Sequence, residues 1–281
     1  MPAYGPSGAT TMSLLDPDGY VTLSPSKLDL LTCPRRGRWY LERPDGYVNT
    51  PALVGRAAHA VLANLASQHW PDDAFGVIPN LAAHALHREG LERQVSPADY
   101  ARELAGLVQS VRSFVAVWSL PSSSRALVEA HCRLTDRLGG LRLYGRLDVL
   151  LPPDKVTDFP SVLDWKAGFR PLVDELEPPL SVIGQAMLAR ARLGLRTGVV
   201  VRRVYIREAA EQVWNLDHEA LVDGWRRVRG IASYARGDRW PPRPGLLCER
   251  CPETGCQHNI GMPDVSDLGI PDPEDDGTEE A

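Results

Sequence analysis

Residues 162–171 read VLDWKAGFRP. Val162 and Leu163 begin what looks like a buried strand, and such a strand should continue with apolar residues. Instead Asp164 and Lys166 follow, with Trp165 between them. Residues two apart in a strand project from the same face. A carboxylate and an ammonium therefore stand side by side at the end of a hydrophobic strand. Upstream, GRLD (Gly145 to Asp148) carries a second carboxylate on the preceding predicted strand. Two carboxylates converging at a sheet end make an oxygen-rich site suited to Mg²⁺ or Mn²⁺. Lys166 beside them can hold an attacking water and offset charge building on a phosphoryl group. An Asp-x-Lys spacing alone reads as an ordinary ion pair. Asp148 on the adjoining strand turns it into a candidate site.

The flanking segments define the fold class. RALVEAHCRLTD (125–136) and LRLYGRLDVLLP (141–152) form a predicted hairpin with a tight Gly139-Gly140 connection. A short loop over 152–160 leads to SVLDWKAG. A long helix is expected over 173–193, then a strand in TGVVVRRVYIRE and its hairpin partner in EQVWNLD. An amphipathic helix over 218–237 follows. In front lie a helix starting at Ser24-Pro25 and interrupted near Pro34, one over 50–68, and one over 97–118. Leu53, Ala57, Ala60, Val61 and Leu65 give the second of these an apolar stripe. Meandering strands, a helix and further strands predict an α/β fold, a mixed central sheet flanked by helices.

Composition narrows the function. No GxxxxGK[S/T] loop occurs, which argues against an ATP motor. No apolar run is long enough to span a bilayer and the N-terminus lacks a signal-peptide pattern, so a cytoplasmic protein is expected. The net charge of -5 conceals an asymmetry: residues 264–281 hold eight acids and no Lys or Arg. The remainder is mildly basic, which suits a polyanionic partner without requiring one.

Three of the five cysteines, Cys248, Cys251 and Cys256, are clustered near the C-terminus. In a cytosolic chain such spacing reads as a metal site before a disulfide framework. Two arrangements are open: Zn²⁺ with His258 as fourth ligand, or a [4Fe–4S] cluster completed by the distant Cys33. Cys132, within a predicted strand, reads as a buried residue. Arg35, Arg36 and Arg38 alternate with Trp39 and Tyr40 nearby, a pattern suited to phosphates and stacked bases of single-stranded DNA. It equally describes a solvated helix face. Arg226, Arg227 and Arg229 read as a solvated face.

The segments GRLDVLLPP and VLDWKAG resemble the core of the PD-(D/E)xK nuclease superfamily, in its RecB-like branch, where a G-x-[IVL]-D strand precedes [IVL]-D-[YWF]-K-[TAS]-G. The resemblance implies a restriction-endonuclease-like core with Asp148, Asp164, Lys166 and Gln185 catalytic. It implies metal ligation by Asp148, Asp164, the Trp165 carbonyl and a helical histidine, which GRAAHAVL identifies as His59. Glu129 matches a further acidic position. The literal Pro153-Asp154 falls in a predicted turn, so Asp154 is the lesser choice for the first carboxylate. The family's Q-x-x-x-Y is incomplete: Gln185 is present, but Ala189 stands where tyrosine is usual, which puts that residue's packing or DNA-contact role in doubt.

The layout of one early cysteine and three after the core is similar to the iron–sulfur members of this branch, including the fourth CRISPR-associated protein family and AddB-type subunits. That similarity favours a [4Fe–4S] cluster on Cys33, Cys248, Cys251 and Cys256 over zinc. The expected organisation is a flexible 1–20, a nuclease domain over 21–245, the cysteine cluster over 246–262 and a disordered acidic tail over 263–281. The expected activity is a Mg²⁺- or Mn²⁺-dependent DNA exonuclease acting on single strands or ends. The rivals are an endonuclease or prespacer-trimming nuclease, and a non-catalytic DNA-binding scaffold. A recombination or CRISPR-adaptation protein would be its partner.

Overall fold

The computed structural model describes residues 15–41, 50–68, 70–71, 73–118, 125–153, 158–170, 177–237, 239–245, 248, 251, 253 and 255–259. Its elements are β1 (Val21–Leu23), α1 (Pro25–Leu30), α2 (Pro34–Leu41), α3 (Thr50–Ser67), α4 (Ala74–Arg88), α5 (Pro97–Val117), β2 (Leu127–Asp136), β3 (Leu141–Leu151), β4 (Ser161–Lys166), α6 (Leu180–Leu193), β5 (Val199–Tyr205), β6 (Ala210–Leu216) and α7 (His218–Arg236). One mixed sheet holds all six strands. Its path runs β1-β3-β4-β5-β6, and β2 pairs with β3 on the other side. The β1–β3 and β4–β5 pairs are parallel; the others are antiparallel.

Helices cover both faces, as the α/β reading expects. Leu28, Ile183, Leu188, Trp225 and Val228 from α1, α6 and α7 pack on one face with Leu143, Val162 and Val201. Leu53, Val61, Ile78 and Phe114 from α3, α4 and α5 pack on the other with Val149, Leu163, Trp165 and Val204. The alternating members of β4 and β5 thus divide cleanly between two cores.

Several elements differ from expectation. Helix α4 was not foreseen, because Gly76 and Pro79 read as breakers; Asp73 caps its N-terminus and Ile78, Ala82 and Leu86 supply a buried stripe. Burial of that stripe outweighs the local cost of Pro79. Helix α6 begins only at Leu180, since Pro178 and Pro179 hold the preceding backbone out of the helix. The β2–β3 connection spans the four residues 137–140, with Asp136 opposite Leu141 and Gly140 at φ 56°. Leu15–Tyr20, expected to be flexible, form a turn: Asp16 accepts from the amides of Asp18 and Tyr20, and Arg142 pairs with Asp16 and Asp18. Residues 1–14, Asp154 and the acidic tail lie outside the described residues.

The hairpin carries a local irregularity that matters below. Along β3, Leu143 and Leu147 face the first core; Val149 and Leu151 face the second, and Leu150 the first. Along β2, Ala130 and Cys132 face the first core, whereas Val128 faces the second and Leu127 the first. Alternation therefore breaks at Glu129 and Asp148, which would be cross-strand partners. Glu129 has φ 53°, a left-handed conformation that non-glycine residues seldom adopt. Upstream, Gly145 lets α1 approach: a Cβ there would meet Pro25 Cδ at 3.0 Å.

Candidate active site

Strand β3 pairs with β4 only over Val149–Leu151, and with β1 only over Leu141–Leu143. The next β3–β4 row in register would place Asp148 opposite Asp164. There the ladder ends, and Asp148 Oδ2 instead accepts the Trp165 amide at 2.8 Å. The carbonyl of Pro160 accepts from the Val200 amide of β5, and that of Lys166 from the Ile206 amide just beyond it. Strand alternation consequently turns the N–H and C=O of Trp165 toward β3, which is how the amide reaches Asp148. Trp165 itself is fully buried in the second core.

His59 arrives from α3. Its Nδ1 lies 3.4 Å from Asp148 Oδ1, and its ring meets the Trp165 ring edge-on at 6.3 Å. Burial pushes the imidazole toward its neutral form. The hydrogen bond and charge of Asp148, with the charge of Asp164, outweigh burial and raise its pKa. Lys166 Nζ lies 3.0 Å and 2.9 Å from the two Asp164 oxygens. Asp164 is 8% exposed and Lys166 is 40% exposed, so the carboxylate is fixed while the ammonium reaches solvent. Glu129 joins this group through Arg146, whose Nε is 2.5 Å from Oε2. Burial pushes the Glu129 carboxyl up; Arg146 draws it down, Asp148 raises it, and the net shift is upward.

The donor chemistry fits a hard divalent cation. Among the described residues, Glu129 Oε1 is a buried oxygen without a hydrogen-bond partner, and an acceptor left in that state is costly unless something positive meets it; Asp164 Oδ2 is buried and already met by the Lys166 and Arg203 cations. The site is not drawn into a closed shell: among the described residues no three His, Cys, Asp or Glu side chains form a metal-holding group. Asp164 is engaged by Lys166 and by Arg203 from β5, which holds it away from such closure. Gln185 lies one helical turn beyond Ser181 on α6, with a buried Oε1 lacking a partner among the described residues. Ala189 is fully buried.

The family profile of the PD-(D/E)XK nuclease superfamily matches residues 22–256. The chain belongs to the PD-(D/E)XK nuclease superfamily. No curated protein matches it. Among solved structures it is similar to an exonuclease candidate from Eubacterium rectale, with 11% identity and a TM-score of 0.46 over 95% of this chain and 100% of that one. It is also similar to the protein SSO0001, with 13% identity and a TM-score of 0.33 over 79% and 90%.

The cysteine end of this PD-(D/E)XK chain is open as well: among the described residues its thiols are not drawn together into a metal-holding group. Cys33 sits in the break between α1 and α2. A cavity of about 310 Å³ is lined by Cys33, Cys248, Cys251, Arg36 and Arg243 among others. The Arg243 amide donates to Cys33 Sγ at 3.4 Å and the Gly245 amide to Cys248 Sγ at 3.3 Å. Cys256 stands apart from this lining. Cys132 is buried in the first core, as expected.

The arginines of α2 belong to this end of the molecule. Arg35 donates to the Gly255 carbonyl at 2.9 Å, Arg36 lies over Tyr40, and Arg38 lies over Trp240. On α7, Arg226 pairs with Asp223 and Arg227 with Glu177. Arg229 departs from the solvated-face reading: it binds the buried Asp136 through Nε at 2.5 Å and Nη2 at 3.0 Å. Its alternation with Trp225 on one helix face was the available signal. Arg203 is a further residue of the site that VVVRRVY does not single out: its neighbour Arg202 is 40% exposed and pairs with Glu211, whereas Arg203 is 11% exposed and lies beside Asp164.

Proposed function

We propose that this chain is a metal-dependent deoxyribonuclease that removes nucleotides from DNA ends, with single-stranded DNA as substrate. One observation carries this reading: Asp148, Asp164, Lys166 and His59 meet where β3 and β4 part, in a member of a nuclease superfamily. His59, Asp148, Asp164 and the Trp165 carbonyl would hold Mg²⁺ or Mn²⁺. When bound, such an ion supplies Lewis-acid charge to a phosphoryl oxygen and acidifies water. The Trp165 amide and His59 fix the orientation of Asp148. Lys166 points its exposed ammonium at the scissile phosphate, orients the attacking water and offsets the charge that develops. Gln185, with its unmet oxygen, supports the lysine side of the site.

Support for a single-stranded substrate comes from the segment just past Lys166. Phe169 is 69% exposed and lies under the Arg207 guanidinium at 5.2 Å. An aromatic face next to an arginine suits an unpaired base and its phosphate. Arg35, Arg36 and Arg38 would extend that contact at the cysteine end. There Cys33, Cys248, Cys251 and Cys256 would hold a [4Fe–4S] cluster. Three thiols around one cavity, two of them accepting backbone N–H bonds, support that ligation.

End-labelled single- and double-stranded DNA, digested with Mg²⁺ or Mn²⁺ by protein purified without air, tests the assignment. Stepwise shortening of the single strand is expected, with loss of activity in Asp164→Ala and Lys166→Ala. Cleavage of circular DNA would assign an endonuclease instead, and an inert wild type would leave a DNA-binding scaffold.

A further inference from the structure

We propose that Arg203 is a positioning residue that holds Asp164 and keeps divalent-cation binding weak until a DNA phosphate arrives. The inference rests on the nuclease reading above and concerns a residue that reading does not use. Arg203 is the parallel-ladder neighbour of Asp164, with β5 alongside β4. Its side chain is 11% exposed, and its Nε lies 3.4 Å from Asp164 Oδ2. The guanidinium is wedged from the other sides. Nη2 donates to Ser181 Oγ at the start of α6 and lies 3.5 Å from Asp29 Oδ2 of α1. The Trp214 ring lies 5.3 Å below it. Ser181 is fixed in turn, because its amide donates to Asp29 Oδ1 at 2.8 Å.

Asp164 thus has two cationic neighbours of different kinds. Lys166 is a half-exposed flexible chain that can move to a substrate. Arg203 is buried, held by three elements, and cannot leave. Four carboxylates, Glu129, Asp148, Asp164 and Asp29, face three cations, Arg146, Lys166 and Arg203, so a dication binding alone leaves the site with positive charge in excess. A dication entering this pocket alone meets the fixed guanidinium beside one of its own ligands, at a range where unit charges still interact strongly in a protein environment. A phosphodiester brings the missing negative charge and draws Lys166 away from Asp164. Strand and ion therefore bind together, each strengthening the other by the same factor.

The test is Mn²⁺ binding to the full chain, read from the free-ion electron paramagnetic resonance signal, with and without a phosphorothioate oligonucleotide that resists cleavage. Wild type should bind Mn²⁺ weakly alone and about tenfold or more tightly with the strand. Arg203→Met should bind Mn²⁺ alone about tenfold more tightly than wild type, while Arg203→Lys, which keeps the charge, should stay near wild type. Should Arg203→Met not fold, Arg203→Gln carries the test. It removes the charge but keeps a polar head for Ser181 and Asp29, and unassisted binding should tighten likewise by about tenfold. Unchanged or weaker binding in the variant that folds overturns the proposal. So does a wild type that binds Mn²⁺ equally well with and without the strand, provided Asp148→Asn abolishes that binding. A wild type that binds no Mn²⁺ even with the strand sinks the nuclease reading along with it.

Discussion

Asp136 closes β2 immediately before the turn that leads into β3, the strand that carries Asp148. It is buried and accepts four hydrogen bonds: two from Arg229, one from Trp225 Nε1 at 2.8 Å and one from the Gly139 amide at 2.9 Å. Asp136→Ala strands the indole N–H and the amide, at about 1 kcal/mol or more each. A fully buried ion pair would add about 3–5 kcal/mol when broken. Arg229 is 40% exposed, however, so solvent screening reduces that share to about 1 kcal/mol. The total is about 3 kcal/mol. At roughly 2–4 °C per kcal/mol for a domain of this size, Tm should fall by about 6–12 °C. Titration provides an independent check. Burial pushes the Asp136 carboxyl up, but the bonds from Arg229, Gly139 and Trp225 overcome it and leave its pKa below the usual carboxylate value. A group depressed in the folded state contributes fully above its unfolded pKa of about 3.9 and loses that contribution as pH falls through the folded value. Urea unfolding of wild type and Asp136→Asn should therefore show a gap that is flat from about pH 8 to 5 and narrows below about pH 4. A gap that persists undiminished to about pH 3, or a loss below about 1 kcal/mol in Asp136→Ala, would refute this account of the hairpin.

His59→Ala should raise the Mn²⁺ concentration for half-maximal cleavage by about 10–100-fold while leaving DNA affinity unchanged; an unaltered metal titration would leave His59 as a structural partner of Asp148 and Trp165 with no part in metal binding. Cys33→Ser should bleach an anaerobic brown preparation as thoroughly as Cys251→Ser, with loss of the broad absorption near about 400 nm; a colourless protein with stoichiometric zinc, indifferent to Cys33, would decide for zinc on the three C-terminal cysteines and His258. Phe169→Ala in an Asp164→Ala background should weaken fluorescence-detected binding of a single-stranded oligonucleotide by about 1–3 kcal/mol and leave duplex binding alone; equal losses on both would mean that no base stacks there.

The sheet and the site carboxylates were legible because their signal is local. Alternation and glycine turns mark β2, β3 and β6, and the charged interruption of an apolar strand marks Asp164 and Lys166. The break at Cys33-Pro34 was readable for a similar reason, since the residue before a proline is biased out of the helical region while proline itself suits the first turn of the next helix, which starts at Pro34. What stayed hidden depends on partners distant in sequence. Helix α4 exists because Ile78 and Leu86 find α3 and α5, which no local propensity reports. Arg203 looks in sequence like its solvated neighbour Arg202, and only an i, i+4 spacing from Trp225 sets Arg229 apart from Arg226. Only the fold shows that Asp164 and Asp136 await them. The three-residue strand β1 is held by its pairing with Leu141–Leu143, too short to stand out by pattern.

The break in alternation at Glu129 and Asp148 bears on how this protein can be improved or can drift. A stability-minded redesign would regularise the hairpin and remove the left-handed glutamate. Restoring uninterrupted alternation would hand Asp148 to one core or the other, away from the cleft between β3 and β4. The candidate-site geometry is thus a dislocation in an otherwise regular lattice, and annealing it out would leave a sturdier sheet without the cleft that gathers Asp148, Asp164 and Lys166. Single-residue insertions or deletions in β2 or β3 should accordingly lower stability together with activity, because a shift of one residue moves the defect and also turns the buried side chains of β3 out of the two cores.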